Sequence, residues 1–341
     1  MKLREELYHL PFDQFSRQYR VMQFIDKLRP TARTKFTILD VGGYKGKTPE
    51  FQTKDAVTVC DLVESDEPHY VRVNGTDLPF KEGSFDITVS FDAYEHVPRP
   101  QRAQFLSEII RVSKQVSIIA APFDNEKNEV HKAEQRLNQY HSELYGQDHR
   151  WLKEHIDYQV PICKEFESLL KKHKLSFVAL PSNDRVLWEL LQTLYFSVEL
   201  DRDLWERASE LNWIYNNHID ALDTTPPERA YRWIYIISRK ADTLTPVKKF
   251  IATLPEQDVQ FVEQFTARLI HIFGLKYRDV VHHRNYLEQE VLGAREREKE
   301  HHTIAERYGE LRAILRDVRR LRVMKAFKSL KRAEKKRGEK L

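Results

Sequence analysis

Cysteine is almost absent. Cys60 and Cys163 are the only two in 341 residues, so no disulfide framework is implied and a reducing compartment fits. No apolar run approaches the roughly 20 residues that a membrane-spanning helix needs. The N-terminus, MKLREELYHL, lacks the apolar core of a signal peptide and carries acidic residues instead. Together these absences lead us to expect a cytoplasmic protein, soluble or peripheral. With 41% hydrophobic and 32% charged residues the chain is too apolar for global disorder.

Positive charge is not in excess over most of the chain. Residues 316–341 hold 12 Lys and Arg against 3 Asp and Glu, a net +9, while the whole chain is +4. Residues 1–315 are therefore net −5, a poor surface for nucleic acid, and none is expected as a partner.

What is present is a series of short β-rich runs: Phe36–Val41, Ala56–Leu62, Tyr70–Asn74, Phe85–Phe91 and Gln115–Phe123. A helical pattern at Arg99–Ser113 lies between the last two, and the alternation predicts a parallel sheet with helices on both faces. Leu175–Leu180 and Tyr231–Ile237 read as two more strands around a long helical stretch, Asp184–Asn217. Residues 1–30 read as a helical lead-in whose apolar positions are scattered rather than striped, and everything after Lys240 as charge-rich helix.

The first strand runs into a turn, Ile38-Leu39-Asp40-Val41-Gly42-Gly43-Tyr44-Lys45-Gly46, with Thr48 and Pro49 suited to open the next helix. In open α/β sheets ligands bind at the carboxyl ends of strands, so this turn is a nucleotide-site candidate, though glycine turns after strands are common. Asp61 closes the second strand about 20 residues on, where a carboxylate can accept both ribose hydroxyls. These two features alone leave a nicotinamide cofactor open. A third, Asn74-Gly75-Thr76-Asp77-Leu78-Pro79-Phe80, offers an acceptor for an adenine amino group and apolar side chains for its ring. In combination it tips the balance. The plainer alternatives stand beside this: Asp40 capping a turn, Asp61 a solvated strand end, Asp77 an Asx-turn residue before Pro79, His96 ordering the loop after the fourth strand.

The ordered set ILDVGGYKG, VTVCD, GTDLPFKEGSFDITVSFDAYEHVP and LSEIIRVSK resembles class I S-adenosylmethionine-dependent methyltransferases of the small-molecule type. That resemblance spans about residues 35–123. It implies a Rossmann-like seven-stranded α/β methyltransferase sheet over residues 31–240, with S-adenosyl-L-methionine as cofactor. It also implies that Asp40, Gly42, Gly43 and Gly46 surround the methionine portion, Asp61 holds the ribose, Asp77 and Leu78 the adenine, and Phe91 and Asp92 line the pocket. One departure is plain: Tyr44 stands where the family's middle glycine falls, and Gly43 is shifted beside Gly42.

Methyl transfer from a sulfonium is an in-line displacement in which positioning supplies much of the catalysis, and a hydroxyl acceptor also needs a base nearby. His96, His149 and His155 are the candidates, the last two in an insertion, residues 124–161, placed to act as a lid. The phrase His149-Arg150-Trp151-Leu152-Lys153-Glu154-His155 puts residues 151 and 155 on one helical face, which equally describes an amphipathic helix with solvated histidines. No metal is required, and the irregular spacing of His131, His141, His149 and His155 gives no clear ligand set. The lid phrase loosely resembles segments of bacterial methyltransferases encoded with polysaccharide-assembly enzymes. This points to an oxygen of a sugar or glycan, with a quinone-like or polyketide-like small molecule as competitor. A catalytically inactive scaffold of the same fold is the alternative from another class.

In the last hundred residues, Leu287, Val291 and Ala294, then Ile304, Tyr308, Leu311, Leu315 and Val318, form an imperfect heptad, compatible with a coiled coil and a homodimer. Beyond it Leu321, Met324, Phe327 and Leu330 alternate with Arg and Lys, as in helices that lie on the inner membrane face or meet a protein partner.

Overall fold

A computed structural model describes residues 3–198, 202–298 and 312. In chain order, the first half comprises α1 (Phe12–Leu28), β1 (Thr37–Val41), α2 (Thr48–Phe51), β2 (Ala56–Asp61), β3 (Tyr70–Arg72), β4 (Phe85–Phe91), α3 (Arg102–Val112) and β5 (Ser113–Pro122). The lid region holds α4 (Glu129–Tyr145) and α5 (Arg150–Tyr158). Then follow α6 (Cys163–Lys172), β6 (Ser176–Asp184), α7 (Arg185–Val198), α8 (Arg202–Asn217), α9 (Ile219–Leu222), β7 (Ala230–Ser238), α10 (Thr245–Ile251) and α11 (Val259–Glu298).

The seven strands form one sheet in the order β3-β2-β1-β4-β5-β7-β6. Strands β1 to β5 pair in parallel, as the alternation of strands and helices predicts. The sheet is not wholly parallel, however: β7 runs antiparallel to both β5 and β6. The reason lies in the connection. Asp184 at the end of β6 pairs with Ala230 at the start of β7, so α7, α8 and α9 return the chain to the edge it left and β7 must run back.

Strand residues alternate between two cores, the period-2 signature of a sheet covered on both sides. On one face Ile38, Val89, Ile118 and Ile236 pack with Val21, Phe24 and Ile25 of α1 and Val247 of α10. On the other, Leu39, Val41, Ile119 and Ile237 pack with Phe105, Leu106 and Ile109 of α3 and Leu170 of α6. The lead-in helix is thus part of the core. Its pattern looks scattered because polar Ser16, Gln18 and Arg20 are buried alongside its apolar residues.

The compact unit that contains the sheet runs to Asp258, and α11 belongs to a second unit. No helix among the described residues is long and apolar enough to cross a membrane. The heptad positions from Ile304 onward and the basic stretch 316–341 lie outside the described residues.

Candidate active site

The carboxyl ends of β1, β2, β3 and β4 open onto a cavity of about 880 Å³, whose far wall is lid and β7. The turn after β1 is held by Gly42 and Gly43, whose backbone N–H groups both donate to the Cys60 carbonyl at the end of β2, at 2.8 and 3.3 Å. Gly42 has φ of +80°, and a Cβ there would lie 2.4 Å from that of Ala93. A Cβ on Gly43 would meet the Asp40 carboxylate at 2.5 Å, so that glycine leaves room for an acid beneath it.

Asp40 is fully buried, and its Oδ2 accepts from the Thr48 hydroxyl at 2.5 Å. Its Oδ1 has no hydrogen-bond partner among the described residues. Burial pushes the Asp40 carboxyl up to about 7, against the pull of Thr48 and the Arg17 guanidinium and with help from the charge of Asp61. An orphaned acceptor of this kind calls for a cationic or N–H-bearing ligand group. Asp61 lines the same cavity, its Oδ2 accepting from the Tyr44 backbone N–H at 3.2 Å. The residue that replaces the expected glycine thus aims the second acid through its backbone.

Ten of the twelve residues singled out in sequence line the cavity: Asp40, Gly42, Gly43, Gly46, Asp61, Phe91, Asp92, His96, His149 and His155. Asp77 and Leu78, expected to hold the adenine, are not among the lining residues. A tight turn pairs Asn74 with Asp77 and swings the Asp77 side chain out to solvent. Leu78 is buried in the core on the α3 face of the sheet, its N–H donating to Glu108 at 2.8 Å. Asn74, Gly75 and Thr76 form that part of the wall instead. Asp92, in a left-handed conformation at φ of +43°, is clamped by Arg232 through two hydrogen bonds of 2.9 and 2.6 Å and by Arg17. With both oxygens occupied, its carboxylate is a structural anchor of the cavity floor. Neither arginine was legible as a site residue, because α1 and β7 lie 75 and 140 residues away in sequence.

The three histidines do different things. His149 caps α5, its Nδ1 accepting from the Leu152 N–H at 3.4 Å, and its ring packs on His141 and Phe196. Burial, then the charges of His141 and His155, push it down to about 4. His96 and His155 instead meet edge to edge, Nε2 to Nε2 at 3.1 Å. His96 Nδ1 lies 2.9 Å from Glu154, and His155 Nδ1 lies 2.8 Å from Glu134, which also accepts from the Tyr231 hydroxyl at 2.9 Å. Burial, then the charges of His155 and Arg150, push His96 down to about 3. Burial also opposes a charged His155, but the carboxylates of Glu134, Glu95 and Glu154 outweigh it and hold His155 above its ordinary value. Glu95, wholly buried, sits 3.8 Å from His155 Nε2, and burial raises its carboxyl. Glu134 lies in α4, where nothing in the sequence marks it.

The rest of the lid side is aromatic. Trp188 stacks on Tyr231 with ring centroids 3.5 Å apart, Trp151 stands half exposed, and Phe196 closes the wall.

An open sheet in the order 3-2-1-4-5-7-6, with only its seventh strand reversed and a ligand cavity at the carboxyl ends of the parallel strands, is the arrangement of class I methyltransferases. Residues 52–121, which carry β2 to β5, match the methyltransferase domain family. Two uncharacterized methyltransferases of Mycobacterium sp. are similar to the chain. The KMS-strain protein is 38% identical over 90 residues, covering 23% of this chain and 34% of the relative. The JLS-strain protein is 36% identical over 89 residues with the same coverage. The chain therefore spans about a third of the length of the curated relatives it matches. Among solved structures, Haemonchus contortus phosphoethanolamine N-methyltransferase 2 aligns with 64% of this chain and 52% of its own, at 16% identity and a TM-score of 0.41. The YcgJ protein of Bacillus subtilis aligns with 65% of this chain and 99% of its own, at 12% identity and a TM-score of 0.37.

Proposed function

We propose that this protein transfers a methyl group from S-adenosylmethionine to an oxygen of a small or glycan acceptor. One observation carries the reading: the buried, half-satisfied Asp40 beneath a glycine turn, with Asp61 beside it, lining a cavity that also holds the His96–His155 pair. Asp40 suits the cationic amino acid portion of the cofactor and Asp61 the ribose hydroxyls. The cofactor supplies a methyl on a positively charged sulfur, already activated for displacement. The chain then has two tasks. Trp151, Trp188, Tyr231 and Phe196 give the acceptor a flat apolar wall that orients it. The cluster of His96, His155 and Glu95 lines the same cavity and would promote loss of an acceptor hydroxyl's proton to water as the new O–C bond forms and the S–C bond breaks. His149, already spent on capping α5, positions the lid.

The test is calorimetry with S-adenosylhomocysteine, followed by labelled-methyl transfer into small molecules and glycans extracted from cells. We expect saturable binding, and in Asp61→Ala a loss of about 1.5–3 kcal/mol, the usual cost of a charge-assisted hydrogen bond left unmade. Wild-type affinity in that variant removes Asp61 from the site, and no binding by the wild type leaves the scaffold role.

A further inference from the structure

Two features of this cluster suit a bound cation. A carboxylate only accepts, so His96 Nδ1 facing Glu154 and His155 Nδ1 facing Glu134 must each carry the proton. Neutral rings so assigned leave two bare Nε2 lone pairs directed at one another across 3.1 Å. That contact is repulsive unless a positive charge, either an added proton on His155 or a metal ion, lies between them. The second feature is Glu95. It is 0% exposed, and neither carboxylate oxygen meets a hydrogen-bond donor from another of the described residues. A buried carboxylate that accepts no such bond is costly, and it lies 3.8 Å from His155 Nε2, beside the two ring nitrogens.

We propose that Glu95, His96 and His155 form a binding site for a divalent first-row transition-metal ion, held by the Nε2 atoms of the two histidines and the carboxylate of Glu95. Candidate ligand atoms of the three residues lie within 4.8 Å of one another. Two imidazoles on one tetrahedral ion, at about 2.0–2.1 Å each, bring their nitrogens to about 3.3 Å, close to the separation here. The further contacts suit the same purpose. Each histidine directs its distal N–H at a carboxylate, and Glu134 is itself fixed by Tyr231, the arrangement that orients metal-bound imidazoles. Two nitrogens and one oxygen favour Zn²⁺, Fe²⁺ or Co²⁺ over Mg²⁺ and Ca²⁺. All three residues line the cavity, so the remaining coordination positions face it. The existence of the site rests on this geometry alone. Its use rests on the methyl-transfer reading, in which an acceptor hydroxyl at an open position becomes more acidic and gives its proton to water.

The experiment is titration of the full chain, stripped with chelator and dialysed, with Co²⁺. It is followed by the visible ligand-field bands and by Zn²⁺ competition, with no methyl donor present. We expect one tight equivalent per chain with bands of mixed nitrogen and oxygen coordination. Glu95→Gln and His155→Asn should each bind Co²⁺ about 100-fold or more weaker, and Glu134→Gln, which touches no ion, about 10–100-fold weaker. His96→Asn, at the partly exposed member of the set, carries the test if the buried variants fail to fold, judged by thermal melting and S-adenosylhomocysteine binding. A wild type without a tight Co²⁺ equivalent, or bands and affinity unchanged in the folded variants, overturns the site and leaves a shared proton between the rings. Metal binding with no methyl transfer would sink the function proposed above and spare this one.

Discussion

In the proposed function, Asp40 trades stability for binding. Its carboxyl sits at about 7 in the folded chain against 3.8 for the free group, because burial disfavours the charge more than Thr48 and Arg17 favour it, with Asp61 adding repulsion. Between those values the native state holds more protons than the unfolded one. Stability contributed by this group is therefore full below pH 4 and falls as pH rises towards 7. A cationic ligand group beside Oδ1 reverses the preference and expels the proton. We therefore expect cofactor affinity to rise with pH through about 6 to 7.5, with protons released on binding, which calorimetry in buffers of different ionisation enthalpy measures. Asp40→Asn should lose both that proton release and most of the affinity, yet melt at a higher temperature than wild type at pH 8. A variant that melts no higher would mean that the buried charge costs nothing.

At the scale of elements, the middle of α1 and the end of α9 are tied by one buried ion pair. Arg20 and Asp223 are each 1% exposed and meet at 3.1 Å, and Asp220 takes the other side of the guanidinium at 2.6 Å. Asp223 also accepts from the Ser182 hydroxyl at 3.0 Å and the Asn183 N–H at 2.9 Å, joining the end of β6 to the same knot. Removing the cation strands a buried carboxylate, so Arg20→Ala should lower unfolding free energy by about 3–5 kcal/mol in urea melts. A loss below about 1 kcal/mol would show that water replaces the guanidinium. This knot also explains what sequence could convey. The parallel strands and the turn after β1 were legible because a period-2 core and a glycine turn leave local signatures, and so were Asp40 and Asp61 at strand ends. The reversal of β7 was not, since it is fixed by where a 45-residue connection returns the chain. Nor was the role of α1, whose buried Ser16 and Arg20 find partners 167 and 203 residues on. Glu134 and Arg232 were invisible for the same reason.

For the whole molecule, charge is divided so that a net −5 body is followed by a net +9 segment, residues 316–341. We propose that this segment holds the protein against an anionic membrane face, near a lipid-linked acceptor. Each basic residue near such a surface contributes roughly 1 kcal/mol, and salt at 0.15 M screens that attraction beyond about 8 Å. The apolar positions Leu321, Met324, Phe327 and Leu330 recur at three-residue spacing and would add burial at the acyl boundary. Neither contribution suffices alone, so binding should be reversible and steeply dependent on ionic strength. The competing role, a coiled coil through the preceding heptad, predicts self-association that ignores lipid. Sedimentation of the full chain with anionic and with neutral vesicles, at low and high salt, separates the two. We expect pelleting with anionic vesicles at low salt only, and recovery in the supernatant when Arg319, Arg320 and Arg322 are all changed to Glu. Equal partition of wild type and the charge-reversed variant rules out a lipid surface. If sedimentation equilibrium then gives a dimer that survives the same reversal, the heptad, and not the basic segment, organises the molecule.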